Sequence, residues 1–235
     1  MRIASSSKSF LRTLAFLAVG GVLASATAAF AAGPPIDWDP GYGYQAGATP
    51  TNLPPGGEFK MVGIVSSFDV PFQSLNAGDP SREYTFFLKG LISLGTVAIG
   101  PPATTFYETH YSGGTFELYE DLSPESSFTP FPPVEGNFTD GTLLLSGNFT
   151  SFVVQSNNFT AFQTGNIEGA LNWTGGSLLP IATANGCTGL LTGGMTWRST
   201  VVPTGYLFRH DGKMDLQCPT PTHGSSWGRI KSLYR

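Results

Sequence analysis

From Glu58 onward the chain runs as short segments in which apolar and polar residues alternate, and no long stretch carries the 3.6-residue period of a helix. Successive side chains on a strand point to opposite faces, so this pattern buries one face of a sheet and wets the other. Strands are predicted over about 58–68, 83–98, 104–111, 115–120, 142–155, 159–173, 188–202 and 205–216. The breakers between them include NAGDPS at 76–81, GPP at 100–102, SGG at 112–114 and SPESSFTPFPPVEG at 123–136. Neighbouring strands joined by short turns pair antiparallel. The expected fold is all-β: a single antiparallel β-domain of about eight strands over 58–235, an up-and-down barrel with a β-sandwich as the alternative. Residues 32–57 carry many Pro and Gly without apolar periodicity and are predicted to be an irregular N-terminal arm.

Asn137, Asn148, Asn158 and Asn172 each open an Asn-aromatic-Thr triplet. Their spacings of 11, 10 and 14 residues have no fixed period, which argues against a repeat array. Alternation puts Leu143, Leu145, Phe149 and Val153 on one face of a strand and Ser146, Asn148 and Thr150 on the other. In the following strand Phe159, Ile167, Leu171 and Trp173 oppose Thr160, Thr164, Asn166, Glu168 and Asn172. Each triplet therefore reads as one period of a half-buried strand, aromatic inward, amide and hydroxyl outward. The four Asn also fit the loose N-glycosylation pattern, and the outward polar ladder is the preferred reading. The hairpin turn is placed at Ser156–Asn158, where Asn tolerates unusual backbone angles.

Residues 1–31 have the layout of an export signal. Arg2, Lys8 and Arg12 precede the short apolar run 14–24, and Ala29 and Ala31 form an Ala-Phe-Ala cleavage site, with cleavage expected after Ala31. The Ala-rich run suggests a bacterial source, and hence periplasm or medium. It is too short to span a bilayer, and no later segment approaches the roughly 20 residues that spanning takes, so the chain is not expected to be membrane-spanning. Cleavage removes three of 12 basic residues and none of 16 acidic ones, leaving a net charge of −7. That balance argues against a nucleic-acid partner, which needs clustered Lys and Arg. Cys187 and Cys218 are expected to form a disulfide, because thiols that leave the cytoplasm become oxidised and no Cys-x-x-Cys motif is present.

No Gly-x-Ser-x-Gly elbow, Gly-rich phosphate loop, His-Glu-x-x-His or EF-hand loop occurs. FRHDGKMD at 208–215 is the densest polar cluster. Asp211-Gly212 predicts a solvated hairpin tip there, with His210 and Asp211 the weak candidates for an acid–base pair or metal ligands. Glu117, Glu120, Asp121 and Glu125 are weak candidates for calcium, the one cofactor considered, or for paired carboxylates of a glycoside hydrolase. Trp38, Tyr42, Tyr44, Tyr107 and Tyr111 offer flat apolar faces with polar edges, either as a platform for a sugar ring or as packing of the arm across a sheet edge. Trp227, Ile230 and Tyr234 in the tail are spaced like one face of a short docking element.

The expected function is that of an exported non-catalytic protein with a structural or interaction role at the envelope or outside the cell. Its partners would be an envelope protein, a glycan or a small apolar ligand. A hydrolase is the less favoured reading, and the oligomeric state is not legible.

Overall fold

The computed structural model describes residues 33–159 and 162–219, without the side chains of Ala103, Asn158, Phe159 and Phe162. The expected export signal and the tail element at 227–234 lie outside the described residues. The strands are β1 (Ile36–Gln45), β2 (Glu58–Ile64), β3 (Ser67–Phe68), β4 (Glu83–Ile99), β5 (Phe106–Asp121), β6 (Thr142–Phe159), β7 (Phe162–Gly175), β8 (Thr188–Thr196) and β9 (Phe208–Gln217). They form one sheet in the order β2-β4-β5-β6-β7-β8-β9-β1-β3, and an antiparallel β1–β2 pairing closes eight of them into a barrel, with β3 added on β1. Neighbours in the barrel are neighbours in sequence, as the predicted up-and-down meander requires, and closure removes the long open edges of a sheet.

Two departures from the sequence reading cancel in the strand count. The segment 32–57 is irregular only in part, because residues 36–45 within it form β1, a full stave paired with β9 and β2. Its alternation is hidden by a register shift between Trp38 and Gly41, and by Gly41 and Gly43 at buried positions where an apolar side chain would be expected. Gly43 is needed there because a Cβ would stand 2.5 Å from the Phe208 ring. Conversely, the SGG breaker does not divide 104–111 from 115–120. Gly113 and Gly114 take φ of 69° and 90° while β5 keeps its pairing with β4 across them.

The barrel interior is filled with rings. Trp38, Phe59, Phe86, Phe116, Phe152 and Phe208 are each less than 2% exposed. Phe59 stacks on Phe208 with centroids 5.6 Å apart, and Trp38 meets Phe86 at 4.5 Å. Loop 46–57 covers the barrel through Leu53, whose N–H donates to Thr96 Oγ1 at 2.7 Å and whose carbonyl accepts from Ser93 Oγ at 3.0 Å. Ser156 Oγ donates to the Pro50 carbonyl at 2.7 Å in the same loop. Phe72 and Ala182, the last residue of the short helix α1 (Leu179–Ala182), join the same core. The Cys187–Cys218 disulfide ties the approach to β8 to the exit of β9 across 31 residues. A loop of that size contributes about 3–4 kcal/mol in the chain-entropy picture.

In β6 a register shift between Phe149 and Ser151 reverses the alternation, so Phe152 and Val154 are buried and Val153, expected inward, lies on the outer wall. Leu143 is likewise outward at 36% exposure, beside buried Leu144 and Leu145. The faces of β7 follow expectation, with Ile167, Leu171 and Trp173 buried and Asn166, Glu168 and Asn172 exposed. Asn148 and Asn172 stand opposite each other on adjacent strands, exposed, as the polar ladder predicts. Asn137 departs from it, in a 3-10 turn at Glu135–Phe138. The hairpin turn does not fall at Ser156–Asn158, since those residues stay in the ladder to the Phe159–Phe162 pair.

Candidate functional site

Asp211-Gly212 sits in the middle of β9, not at a hairpin tip, with Gly212 opposite Gly193 on one side and Trp38 on the other. Glycine serves close packing here, because a Cβ at Gly212 would collide with the His210 ring. His210 is fully buried, and its Nδ1 accepts a hydrogen bond from Trp38 Nε1 at 3.2 Å. The proton therefore resides on Nε2, which lies by the Gly193 backbone without a well-formed hydrogen bond. Burial pushes the imidazole pKa down to about 4, so the ring is neutral at ordinary pH. Asp211 is exposed on the other side of the wall. Adjacent residues on a strand face opposite ways, and these two do not form an acid–base pair.

The aromatic candidates do not converge either. Trp38 and Tyr111 belong to the core inside the barrel, while Tyr42 and Tyr44 belong to a second buried cluster with Val62, Phe87, Phe138 and Tyr206. Tyr107 is half-buried, in register with Ser156. The acidic candidates are engaged separately. Glu117 accepts from Lys89 Nζ and the Tyr119 hydroxyl, both at 2.8 Å, and Glu120 binds Arg82 and Tyr84. Glu125 lies near Asp140 and Asp121, and donation of its carboxyl proton to Asp140, with the repulsion of these neighbours, raises its pKa. Among the described residues no group of three or more His, Cys, Asp or Glu side chains is placed to hold a metal.

What the structure does bring together is a polar grid on the outer wall of β5–β9. Strand register aligns Glu108, Gln155, Asn166, Gly194 and Asp211 in one row across the five strands. A second row continues from Asn157 through Thr164, Thr196 and Arg209. A third runs His110, Val153, Glu168, Thr192, Lys213 and reaches Asp37 on β1. Strands lie about 4.8 Å apart, so the three rows extend roughly 14 to 24 Å around the barrel. Sequence alternation marks Thr164, Asn166 and Glu168 as outward and places Val153 inward, and only register aligns residues this far apart in the chain.

Hydrogen bonds run along the first row and tie it to the third. Gln155 Nε2 donates to Glu108 Oε2 at 2.7 Å, Asn166 Nδ2 donates to Gln155 Oε1 at 3.0 Å, and His110 Nε2 lies 2.7 Å from Glu108 Oε1. The Gln155 and His110 bonds hold the Glu108 carboxyl below its ordinary pKa. Two depressions open on this wall. One of about 190 Å³ is lined by Glu108, His110, Gln155, Asn166 and Glu168, with Ser151 and Val153 beside them. The other, about 450 Å³, is lined by Asp39, Thr164, Gly194, Thr196, Arg209 and Asp211, with Gly165 and Met195 below. Asp39 Oδ1 accepts from Arg209 Nε at 3.0 Å and Nη2 at 2.6 Å, which fixes the guanidinium plane at its edge.

On the β5–β9 wall, buried apolar residues inside and a mainly polar grid outside are the reverse of the alternation in a membrane barrel. Among the described residues no helix is long and apolar enough to cross a membrane. Such a surface can present hydrogen-bond donors and acceptors to a ligand. Compared with known protein families, curated proteins and solved structures, the chain matches none.

Proposed function

We propose that the chain is an exported, non-catalytic binding protein of the periplasm or extracellular space, with the outer wall of β5–β9 as its contact surface. The observation that carries this reading is the division of the barrel: its interior is occupied by the chain's own rings, and the hydrogen-bonding groups are gathered on the outside. Among the described residues the rings of Trp38, Phe59 and Phe208 occupy the interior, which turns attention to partners that bind through polar contacts on the outer wall. Export is supported by the signal-like residues 1–31 and by the Cys187–Cys218 disulfide, which suits an oxidising compartment.

Photo-crosslinking in the producing cell tests the wall. A photoreactive residue replacing Glu168 or Thr192 on the grid should give adducts of defined mass, and one replacing Val134 on the far loop should not. Equal labelling from both positions, or none from the grid, would overturn the assignment. Fractionation of the same cells should recover the protein outside the cytoplasm, shortened by residues 1–31.

A further inference from the structure

Resting on the outer-wall reading, we propose that the depression over Gly194 binds one or two units of a neutral saccharide. Its volume of about 450 Å³ falls within the range of roughly 300–1,000 Å³ typical of small-molecule sites. Gly194 stands where the row from Gln155 and Asn166 passes to Asp211, and a Cβ built on it would meet nothing within 4 Å. The missing side chain is what opens the depression. Around it the charges alternate, with Asp39 and Asp211 flanking Arg209, and the hydroxyl residues Thr164 and Thr196 complete the lining.

Two carboxylates against one guanidinium leave the depression net negative, which selects most strongly against an anion. An anion meets two carboxylates, and a cation meets the guanidinium that Asp39 holds in place. A sugar hydroxyl donates and accepts at once, so a neutral saccharide can give hydrogen bonds to Asp39 and Asp211 and take them from Arg209 without net repulsion. The restraint on Arg209 removes ordering cost before any ligand arrives. The neighbouring amides of Asn166 and Gln155 extend the same donor and acceptor pattern toward a second sugar unit.

The test is amide-resolved NMR of the ¹⁵N-labelled protein, titrated with cellobiose and N,N′-diacetylchitobiose as neutral probes, chitobiose as the cationic probe and digalacturonate as the anionic one. Saturable shifts of the Thr164, Gly194, Thr196 and Arg209 amides are expected with at least one neutral probe. Gly194→Trp, which fills the depression from an exposed position, should weaken that binding at least about tenfold. Gly194→Ala should leave it nearly unchanged. Unmoved amides with both neutral probes, equal binding by the Gly194→Trp variant, or stronger binding of either charged probe would overturn the saccharide assignment. Grid-specific adducts in the cross-linking experiment alongside unmoved amides would sink this inference and leave the outer-wall reading standing.

Discussion

Two walls of one barrel have opposite outer surfaces. On β1, β2 and β4 the outward positions carry Tyr42, Tyr44, Val62 and Phe87, and the loops at 122–141 and 197–207 cover them with Phe128, Phe138 and Tyr206. Tyr42 packs against Phe128 at 4.8 Å and Tyr206 at 5.1 Å, and the Tyr206 hydroxyl donates to the Phe128 carbonyl at 2.9 Å. Tyr44 and Lys60 both donate to Glu135, at 2.8 and 2.9 Å, fastening the first loop. On β5–β9 the outward positions are mainly amides, carboxylates and hydroxyls, with His110, Arg209 and Lys213 and the apolar Val153 and Leu143 among them, and two open depressions lie there. An apolar patch left in water must be covered or find a partner, whereas a polar one is already satisfied by solvent. The covered wall is thus bound up with stability, and the open wall is available for binding.

The largest test of this contrast is Phe138→Ala, which removes a fully buried ring from the covered wall and should cost about 3–5 kcal/mol in urea unfolding. A loss below about 1 kcal/mol would mean that the loops are not part of the folded unit.

Behind the open wall, on its inner face, His210 should make folding acid-sensitive. Its folded-state pKa of about 4 lies below the ordinary 6.5, so between those values the unfolded chain holds more protons than the folded one. Its full contribution is present above pH 6.5 and is lost as the pH falls toward 4, by about 3 kcal/mol in all. Unfolding free energies across this range should show the slope, and His210→Met should flatten it. An unchanged slope in that variant would assign the acid sensitivity to carboxylates.

A smaller effect is expected at the fastening of the covered wall. Burial opposes ionisation of Glu135, and the hydrogen bonds from Lys60 and Tyr44 override it, holding the carboxyl below its ordinary pKa. Because the Glu135 side chain is 38% exposed, solvent screening limits the loss in Glu135→Ala to about 1 kcal/mol. Proteolysis should then cut first within 122–141. The smallest effect belongs to the grid: Glu168→Ala and Thr192→Ala should change stability by less than about 0.5 kcal/mol. Losses comparable to that of Phe138→Ala would show the open wall to be structural, and so erase the contrast.

Much of the fold was legible because period-two alternation is local. The stretch 163–173 has its inner and outer residues where the sequence places them, with Ile167, Leu171 and Trp173 buried and Asn166, Glu168 and Asn172 exposed, while the side chains of Phe159 and Thr160 lie outside the described residues. Alternation failed at bulges, and a bulge leaves no compositional mark. Phe152 rather than Val153 turns inward after the shift at Phe149–Ser151, and Trp38 and Tyr42 lie on opposite faces of β1 across the shift at Trp38–Gly41. Glycine was the other blind spot. Gly212 read as a turn and proved to be room for the His210 ring, and Gly43 read as a linker and proved to be room for Phe208.

The candidate site was barely legible, because register across five strands assembles it. No local pattern joins Glu108 to Gln155, Asn166, Gly194 and Asp211, and the open space above Gly194 exists only once its neighbours are in place. By itself the sequence determined the strand class, the meander order and the cystine, since alternation, short connections and a pair of cysteines are properties of the chain. Closure through β1, the filled interior and the alignment of the polar grid were decided by tertiary structure, since each depends on which residues distant in sequence stand opposite one another.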